Sequence, residues 1–77
     1  MKSLEFTAKY RTGTGFITCK TVLAVRNIQY IQEIPPETPE YKDGMISTVM
    51  TLAGMISSVD SYETLSSQFS ELMEQES

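Results

Sequence analysis

Leu4-Glu5-Phe6-Thr7-Ala8-Lys9-Tyr10-Arg11-Thr12-Gly13-Thr14-Gly15-Phe16-Ile17-Thr18-Cys19-Lys20-Thr21-Val22-Leu23-Ala24-Val25 is the stretch on which the fold turns. Its first half alternates. Leu4, Phe6, Ala8 and Tyr10 fall on one side; Glu5, Thr7, Lys9 and Arg11 fall on the other. A period of two belongs to a half-buried antiparallel strand. Thr12-Gly13-Thr14-Gly15 then supplies glycines for a tight turn. Phe16 to Val25 is rich in β-branched and aromatic types, which suit a pleated surface. Ile17, Cys19, Leu23 and Val25 share one face there, with Thr21 between them. The stretch predicts a β-hairpin, with Cys19 as an inert, half-buried strand residue.

Downstream, Arg26-Asn27 marks a turn. Ile28, Ile31 and Ile34 sit three apart, a spacing that also suits a helical turn. The reading is a short turn anchored by Ile28, then a strand over about residues 30–34. Pro35-Pro36 stops it, because neither ring nitrogen donates a ladder bond. Residues 35–44 form a polar loop, stiffened by proline at its start and turned by Asp43-Gly44 at its end. Residues 45–53 admit two readings. Met45, Val49, Leu52 and Ile56 have the spacing of a helix stripe, but Thr48, Val49 and Thr51 are β-branched and Gly54 interrupts a helix. A strand, a turn at Ala53-Gly54 and a second strand at Met55–Val59 satisfy both facts and are favoured, with the helix left open.

The last element is helical. Asp60 or Ser61 caps it, and Asp60 with Glu63 has the spacing of a capping box. Tyr62, Leu65, Phe69, Leu72 and Met73 form an apolar stripe, opposite Ser66, Ser67, Ser70, Glu71 and Glu74. The helix is expected over about residues 61–75. The fold expected is therefore α+β. It is one domain over residues 1–77, a small antiparallel sheet of four to five strands with one C-terminal amphipathic helix packed on it.

Composition narrows the chemistry. There is no histidine, which removes Ser-His-Asp and Cys-His catalysis and imidazole metal ligands together. The single cysteine excludes an intrachain disulfide and fits a reducing compartment. Thr12-Gly13-Thr14-Gly15 lacks the Lys and the helix of a phosphate-binding loop. Glu37, Glu40 and Asp43 do not match a calcium loop. No cofactor or metal is expected, and the reading is of a protein that is not an enzyme. No apolar run approaches the roughly 20 residues of a membrane span. Met1-Lys2-Ser3-Leu4-Glu5 lacks the apolar core of a secretory signal, so the cytoplasm is the expected compartment.

Charge is unevenly spread. Residues 1–30 hold Lys2, Lys9, Arg11, Lys20 and Arg26 against Glu5, a net +4. Residues 31–77 hold Lys42 against Glu33, Glu37, Glu40, Asp43, Asp60, Glu63, Glu71, Glu74 and Glu76, a net −8. Such polarity can steer an encounter, or serve only solubility. Candidate partner-binding residues are Glu37, Glu40, Tyr41, Lys42 and Asp43 in the loop and Glu71, Glu74 and Glu76 at the helix end. Lys9, Arg11 and Lys20 form a candidate basic face, with Tyr10 or Phe16 nearby. The net charge of −4 argues against nucleic acid as the partner. Met45, Met50 and Met55 recur every five residues, so in a strand at least one is expected at the surface.

Asn27-Ile28 with Ile31, the Pro-containing turn, Val49 with Thr51-Leu52 and Gly54, and Val59-Asp60-Ser61-Tyr62-Glu63 with Leu65 form a layout. It resembles that of FlbD-like small flagellar-operon proteins and related phage and mobile-element proteins, over roughly residues 16–72. The chain departs from them by an extra N-terminal strand and a longer 35–44 loop. The resemblance implies a sheet-plus-helix fold and a binding role, with no active-site residues to transfer. The expected function is a small protein-binding module, a regulator or inhibitor acting on a larger bacterial protein. The alternative is a self-associating structural protein or homodimer, and behind it a single-strand nucleic-acid binder.

Overall fold

The computed structural model describes residues 2–76, with side chains described as far as Gln75. Five strands form one antiparallel sheet: β1 (Ser3–Thr12), β2 (Gly15–Ala24), β3 (Ile28–Glu33), β4 (Ser47–Thr51) and β5 (Gly54–Ser58). Their spatial order is β2-β1-β5-β4-β3. A 3₁₀ turn, Val25–Asn27, joins β2 to β3. One helical turn, α1 (Pro39–Lys42), interrupts the polar loop, and α2 (Tyr62–Glu76) ends the described chain. The α+β architecture expected from the sequence is the one observed. Residues 45–53 resolve as strand: β4, a turn at Leu52-Ala53, then β5.

The hairpin pairs along its whole length, from Ser3 opposite Ala24 to Thr12 opposite Gly15. β1 and β5 barely pair. They meet at Ala8 and Ser58 alone, and side chains complete the seam. The Thr7 N–H donates to Asp60 Oδ2 at 2.7 Å. The Ser58 hydroxyl donates to the Thr7 carbonyl at 2.9 Å, and the Val59 N–H to the same carbonyl at 3.1 Å. The Ser47 hydroxyl donates to the Asp60 carbonyl at 2.7 Å. Ser47 and Ser58 are fully buried, so their hydroxyls need these partners. Asp60 is thus a seam residue and not the helix cap. Ser61 caps α2 instead: the Thr64 N–H donates to Ser61 Oγ at 3.2 Å.

The three-residue spacing of the isoleucines has its own cause. Ile28 pairs with Thr51 and Tyr30 with Met50, so Gln29 is an extra residue in β3, a β-bulge. The bulge resets the alternation, and Ile28 and Ile31 both pack on the core. Ile34 is buried just beyond the strand, its N–H donating to the Ile46 carbonyl at 3.1 Å.

The core is Leu4, Phe6, Ala8, Ile28, Val49 and Leu65, with Phe69 and Leu72 of α2 partly buried against it. Helix α2 packs on β1, β3 and the 3₁₀ turn. Tyr62 and Met73, expected in its buried stripe, are exposed because only the middle turns meet the sheet. The molecule is elongated, 41 × 23 × 18 Å. A ten-residue hairpin is about 33 Å long, and α2 covers only its base.

Candidate functional site

Beyond that base, residues 9–20 project as a two-stranded arm, exposed at nearly every position. The inner face of β1 begins with Leu4, Phe6 and Ala8 in the core and ends with exposed Tyr10. The register sets Ile17 beside Tyr10 and Cys19 beside Ala8, on that same face. Nothing among the described residues covers them: Ile17 is 51% exposed, and Cys19 is exposed as well. The half-buried Cys19 expected from the sequence is therefore a surface thiol. Its face was identified correctly. The helix that would cover that face lies over β1 and β3.

The outer face of the arm carries the basic residues. Lys9 sits opposite Thr18, Arg11 opposite Phe16 and Lys20 opposite Thr7. Lys9, Arg11 and Lys20 thus share one face with Phe16, as anticipated, while Tyr10 is on the other. Lys9 Nζ stands 5.0 Å from the Phe16 ring centre and the Arg11 guanidinium 5.6 Å. Val22, further along this face, is 59% exposed.

The loop reaches the arm through Asp43. Lys9 Nζ donates to the Asp43 carbonyl, and the Arg11 guanidinium lies 3.7 Å from Asp43 Oδ2. Gly44 makes this approach possible. Its φ is +96°, and a Cβ there would stand 2.9 Å from Lys9 Nζ. Glu37, Glu40, Tyr41 and Lys42 are exposed on the loop. Tyr41 lines a hollow beside Tyr62 and Glu63 at the start of α2. Glu71 and exposed Glu74 are at the far end of α2, where Glu71 lines a hollow with Ser3 and Glu5. The Glu76 side chain lies outside the described residues. The acidic candidates are therefore split between the two ends of α2 and form no common surface.

Two further features stand outside these candidates, the first foreseen only in its exposed methionine and the second not foreseen. One is a row across the outer face of β3, β4 and β5, where Tyr30 pairs with Met50 and Met50 with Met55. Met55 is 65% exposed, and Leu52 in the adjoining turn is exposed too. The five-residue methionine spacing was the signal for its exposed end. The other is a shallow groove of about 390 Å³ between β2 and α2, lined by Phe6, Lys20, Thr21, Val22, Leu65 and Gln68. No group of three metal-ligating side chains comes together among the described residues. Among them, no helix is long and apolar enough to cross a membrane. Compared with family models, curated proteins and solved structures, the chain matches none.

Proposed function

We propose that this chain is a non-enzymatic, cytoplasmic protein-binding module whose contact surface is the β1–β2 arm. The observation that carries the reading is that Ile17 and Val22 stand bare on opposite faces of one free edge strand. Tyr10 lies beside Ile17, and Phe16 and Val22 stand along the outer face of the same strand, so exposed large apolar residues line the β2 edge from the arm towards its base. Apolar surface gathered in this way favours association with another protein. Lys9, Arg11 and Lys20 flank it and would steer an acidic partner surface toward it. A module of this kind regulates or inhibits by occupying a larger protein. The resemblance of its residue layout to FlbD-like proteins would imply the same class.

Nucleic acid fits the arm less well. Lys9 and Arg11 lie close to the Phe16 ring, the aromatic that would have to stack a base, and Lys9 donates to the loop. The test is photo-crosslinking in bacterial cells, with a benzophenone side chain placed at Ile17, at Val22 or, for comparison, at exposed Gln32 on β3. Adducts with protein are expected from Ile17 and Val22 and not from Gln32. Nucleic-acid adducts from the arm, or equal protein yields from all three positions, would overturn the reading.

A further inference from the structure

We propose that the free edge of β2 docks antiparallel against β2 of a second copy of this chain, with the two-fold axis at Cys19. The inference rests on the reading of the arm as a protein contact and names the occupant the arm takes when the larger protein is absent.

The edge itself invites pairing. β2 offers ten residues with no proline, and its pairing with β1 shows no bulge. Lys20 is its one charged residue. Long unguarded edges of this kind template another strand. Every second residue of an antiparallel strand turns its N–H and C=O away from the existing partner. Counted from the two-residue turn at Gly13-Thr14, those residues are Phe16, Thr18, Lys20 and Val22.

The register follows from which residues would face one another. In antiparallel pairs, directly opposed residues point to the same side of the sheet. A two-fold axis at Lys20 would set that ammonium against its own copy. An axis at Thr18 would set Phe16 against Lys20 and Val22 against the turn residue Thr14. An axis at Cys19 sets Phe16 opposite Val22, Ile17 opposite Thr21 and Thr18 opposite Lys20, with no like charges directly opposed and the two Lys20 side chains kept to diagonal positions.

Both faces then close. On the inner face, Phe6 pairs with Thr21 and Tyr10 with Ile17 within each chain. Across the axis these become one row: Phe6 and Thr21 of one copy, then Ile17 and Tyr10 of the other. Ile17 would thereby enter the groove of about 390 Å³ bordered by Phe6, Thr21 and Leu65. On the outer face, Glu5 pairs with Val22 and Arg11 with Phe16. The row across the axis is Glu5, Val22, Phe16, Arg11, apolar at its centre and oppositely charged at its ends. Symmetry repeats each row, so the bare residues of both arms gain cross-strand neighbours and the sheet becomes continuous through ten strands.

The wild-type chain, studied by sedimentation equilibrium from micromolar to millimolar concentration under reducing conditions, is expected to form a reversible dimer. Ile17→Lys should weaken it roughly tenfold or more without altering the circular dichroism of the monomer, since that side chain is already exposed. Thr18→Pro, which removes an edge donor, should do the same, while Met55→Lys on the separate outer patch should leave the dimer intact. Cys19 supplies the register. Opposed residues of a non-hydrogen-bonded pair lie about 4.5 Å apart at Cα, within disulfide reach. Diamide takes up the two thiol hydrogens as the S–S bond forms, and should link native wild-type dimers rapidly. A wild-type monomer throughout the concentration range overturns the proposal, as does a dimer undiminished by both Ile17→Lys and Thr18→Pro. A dimer that diamide does not link overturns the Cys19 axis. A monomer whose Ile17 still crosslinks to a different protein ends this inference and leaves the arm's binding role standing.

Discussion

β3 closes one side of the sheet with six residues, a bulge at Gln29 and a Pro35-Pro36 stop; β2 closes the other with ten unbroken residues and no proline. Helix α2 lies over the β3 side, and Ile28 is buried there. The distal half of β2 has no such cover, and its isoleucine is bare. Short edges, bulges, prolines and charged side chains, lysine above all, are the usual guards against strand pairing, and Lys20 is the one such guard on β2. A chain of this size has little apolar surface to spare, because small domains bury a lower fraction of what they could. The proposed pairing with a further strand would give neighbours to the two large apolar residues, Ile17 and Val22, that stand on this edge.

The contrast breaks most directly with matched isoleucines. Ile28→Ala empties a site in the packed core and should cost about 2–4 kcal/mol in urea unfolding. Ile17→Ala, measured where the chain is monomeric, should change stability by less than about 0.5 kcal/mol. A loss of more than about 1 kcal/mol at Ile17 would mean that the arm is packed within the single chain, and the difference between the edges would vanish.

The next largest effect is expected at the seam holding the β1–β2 hairpin to the other three strands. One backbone pair and the Val59 N–H bond to the Thr7 carbonyl join β1 to β5, so the Asp60 carboxylate and the Ser58 hydroxyl carry much of the junction. Asp60→Ala leaves the Thr7 N–H without its acceptor and should cost about 1.5–3 kcal/mol. Asp60→Asn keeps an acceptor oxygen and should recover part of that. Amide hydrogen exchange at Thr7 should rise in Asp60→Ala well before exchange within β4. Uniform acceleration through all strands would show that the seam is not a separate weak point. At the helix start, Ser61→Ala removes the cap to the Thr64 N–H and should cost about 1 kcal/mol, read as a shift in the urea midpoint.

These expectations also mark what the sequence made legible. Alternation located the first strand of the hairpin, β-branched and aromatic composition the second, and the Leu65-Phe69-Leu72 spacing the helix. Alternation states which residues share a face, but not whether anything covers that face. Cys19 and Ile17 were placed on one common face correctly, yet they are exposed because α2 lies over β1 and β3. The β3 bulge was visible only as an ambiguous three-residue spacing, since a bulge and a helical turn both bring Ile28 and Ile31 to one side. Asp60 has cap spacing, but the proximity of the Thr7 N–H, which decides its role, comes from 53 positions away in the chain. The acidic candidates were read as a group from composition. A helix of 15 residues, about 22 Å long, separates the loop set from Glu71 and Glu74.

The smallest effect is expected where the arm meets the loop. Arg11 lies 3.7 Å from Asp43 Oδ2 and is 75% exposed, so the pair is screened by water and entropically costly to hold. Its guanidinium also lies 5.6 Å from the Phe16 ring centre, but Lys9 is nearer to that ring at 5.0 Å and would remain. Arg11→Ala should therefore reduce stability by no more than about 0.5 kcal/mol in urea unfolding, and less at high salt. In the paired arrangement Arg11 ends the row that begins at Glu5 of the second copy, so the same variant should weaken association more than it weakens folding. Equal losses in both measurements would make the arm's outer face an internal support. An effect confined to association would make it part of the contact.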